Sequence, residues 1–382
     1  MTIETMEGKR EIWVDWLRVI ACFMVMVVHS TEPFYLGGEG TLVRTASDGF
    51  WAAFMDSLVR SCVPLFVVAS SYLQFPVHYE TGEFFRRRAI RILIPLAVWS
   101  VVYALVWGEP AENFVGLLQN FNYAAGHLWF VYMLVGLYLV MPMLSPWAEK
   151  VSRKELQVYI AIWLFTTILP FLRVWLGGQP PVIYGPSGIP NTAKYPLWGE
   201  CSWNANGVFY YVSGMIGYLL LGLYFRRFAG EMSWRRTLAL GLGALGAGFA
   251  ICFGFFLSAL RTSAAGVYPF EGPVGIAAIW ETPWMFDSTG VALMTIGSII
   301  LLRKITSSGA FYRKIVLPVS KASYGMYLLH MLILSQFSAL YMRVIDCTPL
   351  VIILTAASSY VCVAITAIIL QRIPKVGKYI IG

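Results

Sequence analysis

Arg18 and His29 lie in one hydrophobic stretch, Trp13 to Thr31, where an ionisable side chain costs about 2.5 kcal/mol or more and marks a functional site by default. Eleven residues advance an α-helix by roughly 16 Å and turn it through about 1100°, some 20° past three full turns, so the two side chains share a face. One stripe then carries a fixed cation and a titratable base. Asp15 precedes Arg18 by three residues, the neighbour spacing on a helix, and is placed to hold the guanidinium. A neutral imidazole beside water can take a hydroxyl proton at ordinary pH, because its unperturbed pKa is about 6.5. His29 is therefore the candidate general base, and the ordinary alternative is an interfacial arginine with a packed histidine.

Other chemistry-bearing residues follow along the chain. Arg60 falls inside the second apolar stretch, ahead of Val63, Pro64, Leu65, Phe66, Ser70 and Ser71. An intramembrane cation there needs a carboxylate partner or an anionic ligand. The run FFRRRAIRILIP places Arg86, Arg87, Arg88 and Arg91 at the start of the third stretch, before Pro95. Four guanidiniums can grip phosphates bidentately, and they can equally serve topology and anionic lipid. His127 and Trp129 open the fourth stretch in GHLWFVY, where His127 could help place a sugar. His330, ending SYGMYLLH, is read as a satisfied core histidine, and His78 as a loop residue without evident use.

The elements that must position these groups are membrane helices. The 382 residues are 58% hydrophobic and 13% charged, with mean hydropathy +0.67, well outside soluble composition. Ten stretches are long enough to cross a hydrocarbon core of about 30 Å: approximately 13–32, 51–74, 89–107, 128–146, 156–176, 206–225, 237–260, 284–302, 316–340 and 349–371. Loops that would share one side hold twenty of the 28 Lys and Arg, while the opposite loops hold Arg44, Lys194, Arg261 and Arg343. That asymmetry predicts both termini in the cytoplasm. The net charge of +8 is then topology, and it gives no reason to expect a nucleic-acid partner. Arg18 sits roughly 8 Å and His29 roughly 24 Å from the inner boundary.

No cleavable signal peptide is evident, and the first stretch reads as an uncleaved anchor. The six cysteines form no CxxC pair, which leaves disulfide and zinc readings weak, with no metal expected. No soluble domain or internal repeat stands out, so residues 1–382 read as a single all-α membrane domain. The longest outer connection, Gly177 to Asn204, contains QPPVIYGPSGIP and could line a substrate entrance. A second, Arg261 to Pro283, sets Glu271 and Glu281 near Trp280 and Trp284, an acid and aromatic mixture compatible with sugar binding.

DWLRVIACFMVMVVHS resembles the first-helix signature of the acyltransferase-3 family of integral membrane acyltransferases. The likeness continues in order through RSCVPLFVVASSYL, RRRAIRILIP, HLWFVYMLVGLYLVMP, FYYVSGMIGYLLLG and SYGMYLLH. It is nearest the group that includes the enterobacterial common antigen O-acetyltransferase, which lacks an extracytoplasmic catalytic domain. One departure is Ser71, which stands where the family usually has Gly after the serine. The resemblance implies an inner-membrane enzyme that moves an acyl group, most often acetyl, from cytoplasmic acyl-CoA to a hydroxyl of a glycan or glycolipid. No resident cofactor is implied. CoA phosphates would lie against Arg86, Arg87, Arg88 or Arg91, and the pantetheine arm would pass Arg18 to bring the thioester to His29. Arg18 or Arg60 would stabilise the oxyanion, and a covalent acyl-His intermediate is the variant of direct attack. The rival class is a transporter or flippase for a lipid-linked glycan or small anion, which discontinuous helices or inverted repeats would favour; neither is evident in the sequence.

Overall fold

The computed structural model describes residues 10–37, 40–118, 120–175 and 207–382. The connection from Gly177 to Asn204, with Lys194 and Cys201, lies outside the described residues. Sixteen α-helices are α1 (Ile12–Thr31), α2 (Ala46–Val59), α3 (Cys62–Gln74), α4 (Thr81–Arg88), α5 (Ile94–Val106), α6 (Pro110–Leu117), α7 (Trp129–Lys150), α8 (Arg153–Thr166), α9 (Leu169–Trp175), α10 (Ile216–Arg227), α11 (Trp234–Ala264), α12 (Val274–Trp280), α13 (Thr289–Leu302), α14 (Leu317–Val344), α15 (Thr348–Gln371) and α16 (Gly377–Ile380). Joined where they run on, they give ten apolar segments long enough to cross a membrane. All ten expected stretches are present. Their ends differ most at Thr81–Val106 and Tyr312–Val344, because polar, basic turns extend these helices beyond their apolar cores.

Prolines set the irregularities. The second span breaks at Arg60 and Ser61, between α2 and α3. Pro64 has no N–H for the Arg60 carbonyl, and its ring would clash with that oxygen in a continuous helix. The same argument applies to Pro95 and Pro318, each preceded by a π-helical turn, Ala89–Leu93 and Tyr312–Val316, whose wider spacing accommodates the lost bond. The expectation of unbroken helices is thus corrected: Pro64 reads as an N-terminal turn residue of α3. Arg60 and Arg91 are both presented by these irregular turns.

α1 is central, packed by α2, α3, α14 and α15, and accordingly buries residues around most of its circumference, from Trp13 and Leu17 to Met26 and Thr31. Without a hydrophobic drive between helices in lipid, close approach depends on small residues. α11 and α13 show this at Gly248 and Gly290: a Cβ at Gly248 would lie 2.4 Å from the Gly290 carbonyl oxygen, and one at Gly290 would lie 2.5 Å from Cys252 Sγ. A small antiparallel sheet, unforeseen in an all-α reading, covers the end of the bundle where α1 stops. β1 (Leu36–Gly37), β2 (Gly40–Val43) and β3 (Phe270–Pro273) lie in that order, with Leu36 opposite Thr41 and Thr41 opposite Gly272. Its strands are too short to have a readable alternation.

Candidate active site

One cavity of 580 Å3 is lined by both Arg18 and His29. It begins where Arg10, Arg88, Arg91 and Lys321 approach it, continues past Gln74, Ser70 and Tyr138, and reaches Glu32, Arg60, His127, Trp129 and Glu281 beside His29. The helical register of α1 produces this: two side chains on one stripe, separated by the rise of eleven residues, line two levels of one void.

At the far level His29 Nδ1 is 2.8 Å from Glu32 Oε1. α1 ends here and Pro33 initiates a 310 turn, Glu32–Phe34, which keeps the i, i+3 pair on one face. A carboxylate can only accept, so Nδ1 carries the proton, and in the neutral ring Nε2 keeps its lone pair. That is the tautomer a general base needs. Glu32 was missed by the sequence reading, although its spacing from His29 in HSTEP carries the signal.

His330 is a fully buried core histidine, as expected, and does not line the cavity, but it is only half satisfied. Its ring lies 5.1 Å from the His29 ring and 4.9 Å from that of His127. Nδ1 donates to the Tyr327 carbonyl at 2.5 Å, while the buried Nε2 atoms of both His330 and His127 have no partner among the described residues. The Tyr327 hydroxyl donates to the His127 carbonyl. Despite the three imidazoles, no set of His, Cys, Asp or Glu among the described residues is arranged to hold a metal ion.

Arg18 makes no hydrogen bond or ion pair with the described residues, and its guanidinium belongs to the cavity wall. Asp15 does not hold it. The Asp15 carboxylate instead receives Arg10 at 2.6 and 2.7 Å, the Tyr312 hydroxyl at 2.6 Å and the Ser320 hydroxyl at 2.6 Å. With its acceptor sites filled this way, Asp15 ties α1 to the start of α14, and it is absent from the cavity lining. Arg10, outside the spanning helix, has its pKa held up by the Asp15 hydrogen bonds.

Arg60 is paired: Nη1 lies 3.2 Å from Asp56 Oδ1, Nε donates to the Trp284 carbonyl at 3.0 Å, and the guanidinium sits over the Trp284 and Phe286 rings at 5.3 and 5.4 Å. Thr31 donates to the other Asp56 oxygen at 2.9 Å. The arginine cluster divides. Arg86 and Arg87 are exposed on Glu83, at 2.9 and 2.7 Å, and lie away from the cavity. Arg88 and Arg91 line it, Arg88 with its guanidinium over Phe84 and Tyr138.

Trp129 stacks on Phe286 at 5.5 Å, 19° from parallel, and both rings face the void. Trp280 and Trp284 are fully buried in the core, so neither can stack on a sugar, and Glu271 is exposed on β3. Of that group only Glu281 lines the cavity, its Oε1 accepting from the Tyr35 hydroxyl at 2.7 Å. Burial pushes the Glu281 carboxyl above the usual carboxylate range, with Arg60 opposing. Ser70 lines the cavity. Ser71 turns away and donates to the Leu219 carbonyl at 2.6 Å. Gly222 opposite supplies the close approach, since a Cβ there would meet Ser71 Cβ at 2.4 Å.

The family model described as an acyltransferase domain matches residues 11–369. No curated protein and no solved structure matches the chain.

Proposed function

The chain belongs to the membrane acyltransferase family whose domain spans residues 11–369, and we propose that it moves an acyl group, acetyl first, from acyl-CoA to a hydroxyl of a glycan or glycolipid. The single observation that carries this reading is the shared cavity of Arg18 and His29. Its basic mouth, with Arg88, Arg91 and Lys321, suits the phosphates of CoA, and the asymmetry of loop charge supports placing that mouth and both termini in the cytoplasm of a cell with an inner membrane. The order of the motifs supports, as part of the same proposal, a likeness to the group that includes the enterobacterial common antigen O-acetyltransferase.

In this mechanism His29 Nε2 takes the proton of the acceptor hydroxyl as its oxygen bonds to the thioester carbonyl carbon. Glu32 stabilises the imidazolium. The tetrahedral oxyanion collapses, the C–S bond breaks, and the CoA thiolate leaves with the proton that His29 returns. Reacting atoms must meet within about 3.5 Å, so Arg18, roughly 16 Å down the helix, is too far to steady an oxyanion beside His29. It serves the arm or phosphates of the donor. Arg60 lines the same end of the cavity, but its guanidinium is held by Asp56 and the Trp284 carbonyl, so it acts there only as a largely neutralised charge.

The test is transfer by purified protein in liposomes, with acetyl-CoA on the side of the Arg88 mouth and a glycan on the other. Ester-linked acetyl on the glycan, read by mass spectrometry, is the expected result; translocation of labelled glycan without esterification would establish the flippase reading instead. Within this assay the arginines separate. A charge-assisted hydrogen bond contributes about 1.5–3 kcal/mol, so Arg91→Gln and Arg88→Gln each raise the KM for acetyl-CoA about tenfold or more, with kcat little changed. Arg86→Gln, which removes a guanidinium already held by Glu83 outside the cavity, leaves KM within about twofold. Equal effects at all three positions would return the cluster to topology and lipid contact.

A further inference from the structure

The two levels of the cavity differ in charge: the cations that line the far one, Arg60 and His29, are each paired with a carboxylate. Around Arg18 the lining charges are cationic, whereas around His29 the carboxylates of Glu32 and Glu281 face the void and Asp56 neutralises Arg60 behind it. We propose that the acceptor unit taken beside His29 is an uncharged or cationic polyhydroxy sugar, and that Glu281 reads its hydroxyls while excluding anionic sugars. This deepens, and rests on, the acyl-transfer reading above.

Glu281 is built to hold one orientation. It caps α12, is almost wholly buried at 7% exposure, and is fixed through Oε1 by the Tyr35 hydroxyl. Tyr35 itself is held in an aromatic cluster with Phe256 and Trp284. Unused lone pairs on this carboxyl accept hydroxyl protons from a polyol, as a carboxylate does wherever it meets O–H donors. Two further features call for a sugar. The stacked Trp129 and Phe286 rings give an apolar wall for its C–H face. The Nε2 atom of His127, a residue of the same wall, is buried without a partner among the described residues and lacks the hydrogen bond that such a group ordinarily has.

A sugar carboxylate or phosphate at this level would sit beside the carboxylate of Glu32 and the buried carboxyl of Glu281. Arg60 gives no rescue, because its guanidinium is already engaged by Asp56 and the Trp284 carbonyl. Like-charge juxtaposition at a desolvated contact is a strong discriminator against wrong partners. The donor meets the reverse situation, since its phosphates remain at the basic mouth.

Three matched probes test the rule: octyl glucoside, octyl glucosaminide and octyl glucuronide, offered with acetyl-CoA to the protein in nanodiscs, with product ester measured by mass spectrometry. The expected kcat/KM for the glucuronide is about 10²-fold below the other two, and the deficit persists in high salt because Glu281 is buried. Glu281→Gln is expected to narrow the ratio to within about tenfold, chiefly by improving the glucuronide, with the KM for acetyl-CoA unmoved. A glucuronide accepted as well as the glucoside by the unaltered protein overturns the charge rule and leaves acyl transfer standing. Loss of all three activities in Glu281→Gln, with the unaltered protein showing no discrimination, has the same meaning. Esterification of none of the probes by the unaltered protein, while acetyl-CoA still binds, counts against acyl transfer to sugars and overturns the inference with it.

Discussion

His29→Ala is expected to lower glycan esterification by about 10²- to 10⁴-fold, the usual contribution of a positioned general base, while the protein still inserts and still binds acetyl-CoA. The second half of that expectation comes from the geometry. The substitution removes one partner from Glu32, whose side chain is 32% exposed, so cavity water can replace the lost bond and the penalty of an orphaned buried charge is avoided. Arg18 and the arginine mouth lie on another level of the cavity and keep their environment. Thermal stability within a few degrees, an unchanged donor affinity and a collapsed kcat together identify a chemical role. Undiminished transfer would remove His29 from the mechanism. A second measurement separates direct attack from a covalent route: labelled acetyl-CoA supplied without acceptor leaves no acetyl group on the protein after quenching if the hydroxyl attacks the thioester itself.

What the sequence discloses about this molecule follows from the range of the interactions involved. Ten apolar lengths are local quantities and were readable, as was the common face of Arg18 and His29, which depends on one helix alone. Both Asp15 and Glu32 lie at helical neighbour spacing from these residues, yet only one such pair forms. Arg10 reaches Asp15 from five residues away, but the hydroxyls of Tyr312 and Ser320 reach it across 297 and 305 residues of chain, and nothing local shows that these together win over a simple Asp15 to Arg18 pair. The His29, His330 and His127 cluster escaped for the same reason: three elements distant in sequence converge on it. The break at Arg60 was more accessible. Pro64 stands four residues after it, and the carbonyl that a proline leaves unbonded lies four residues back. Where hydropathy saw one segment, backbone chemistry marked a place for a break, although α7 runs on through Pro142 and Pro146. The tryptophans near Glu281 show the opposite error, because composition suggests a sugar platform while their full burial assigns them to packing; the tryptophans that line the cavity are Trp107 and Trp129, from other spans.

Glu32→Gln should cost about 10²-fold or more in kcat, with the donor KM little changed, although the side chain keeps its shape. The carboxylate has two functions at His29 that an amide cannot perform together. If Gln presents its oxygen to Nδ1, the reactive tautomer survives, but the negative charge that favours the imidazolium in the transition state is gone. If it presents its amino group, Nδ1 must become the acceptor and the proton moves to Nε2, the atom that has to receive the hydroxyl proton. Glu32→Asp separates reach from charge: the shorter arm withdraws from the 2.8 Å contact but keeps the carboxylate near, and it should fall between Gln and the unaltered protein. A purely structural Glu32 would behave differently, since isosteric Gln at a partly exposed position would be tolerated and the shorter Asp would be worse. The order of these two variants in kcat therefore decides the matter, and Gln more active than Asp would show that the tautomer and charge of His29 are set by something other than its neighbour at the end of the helix.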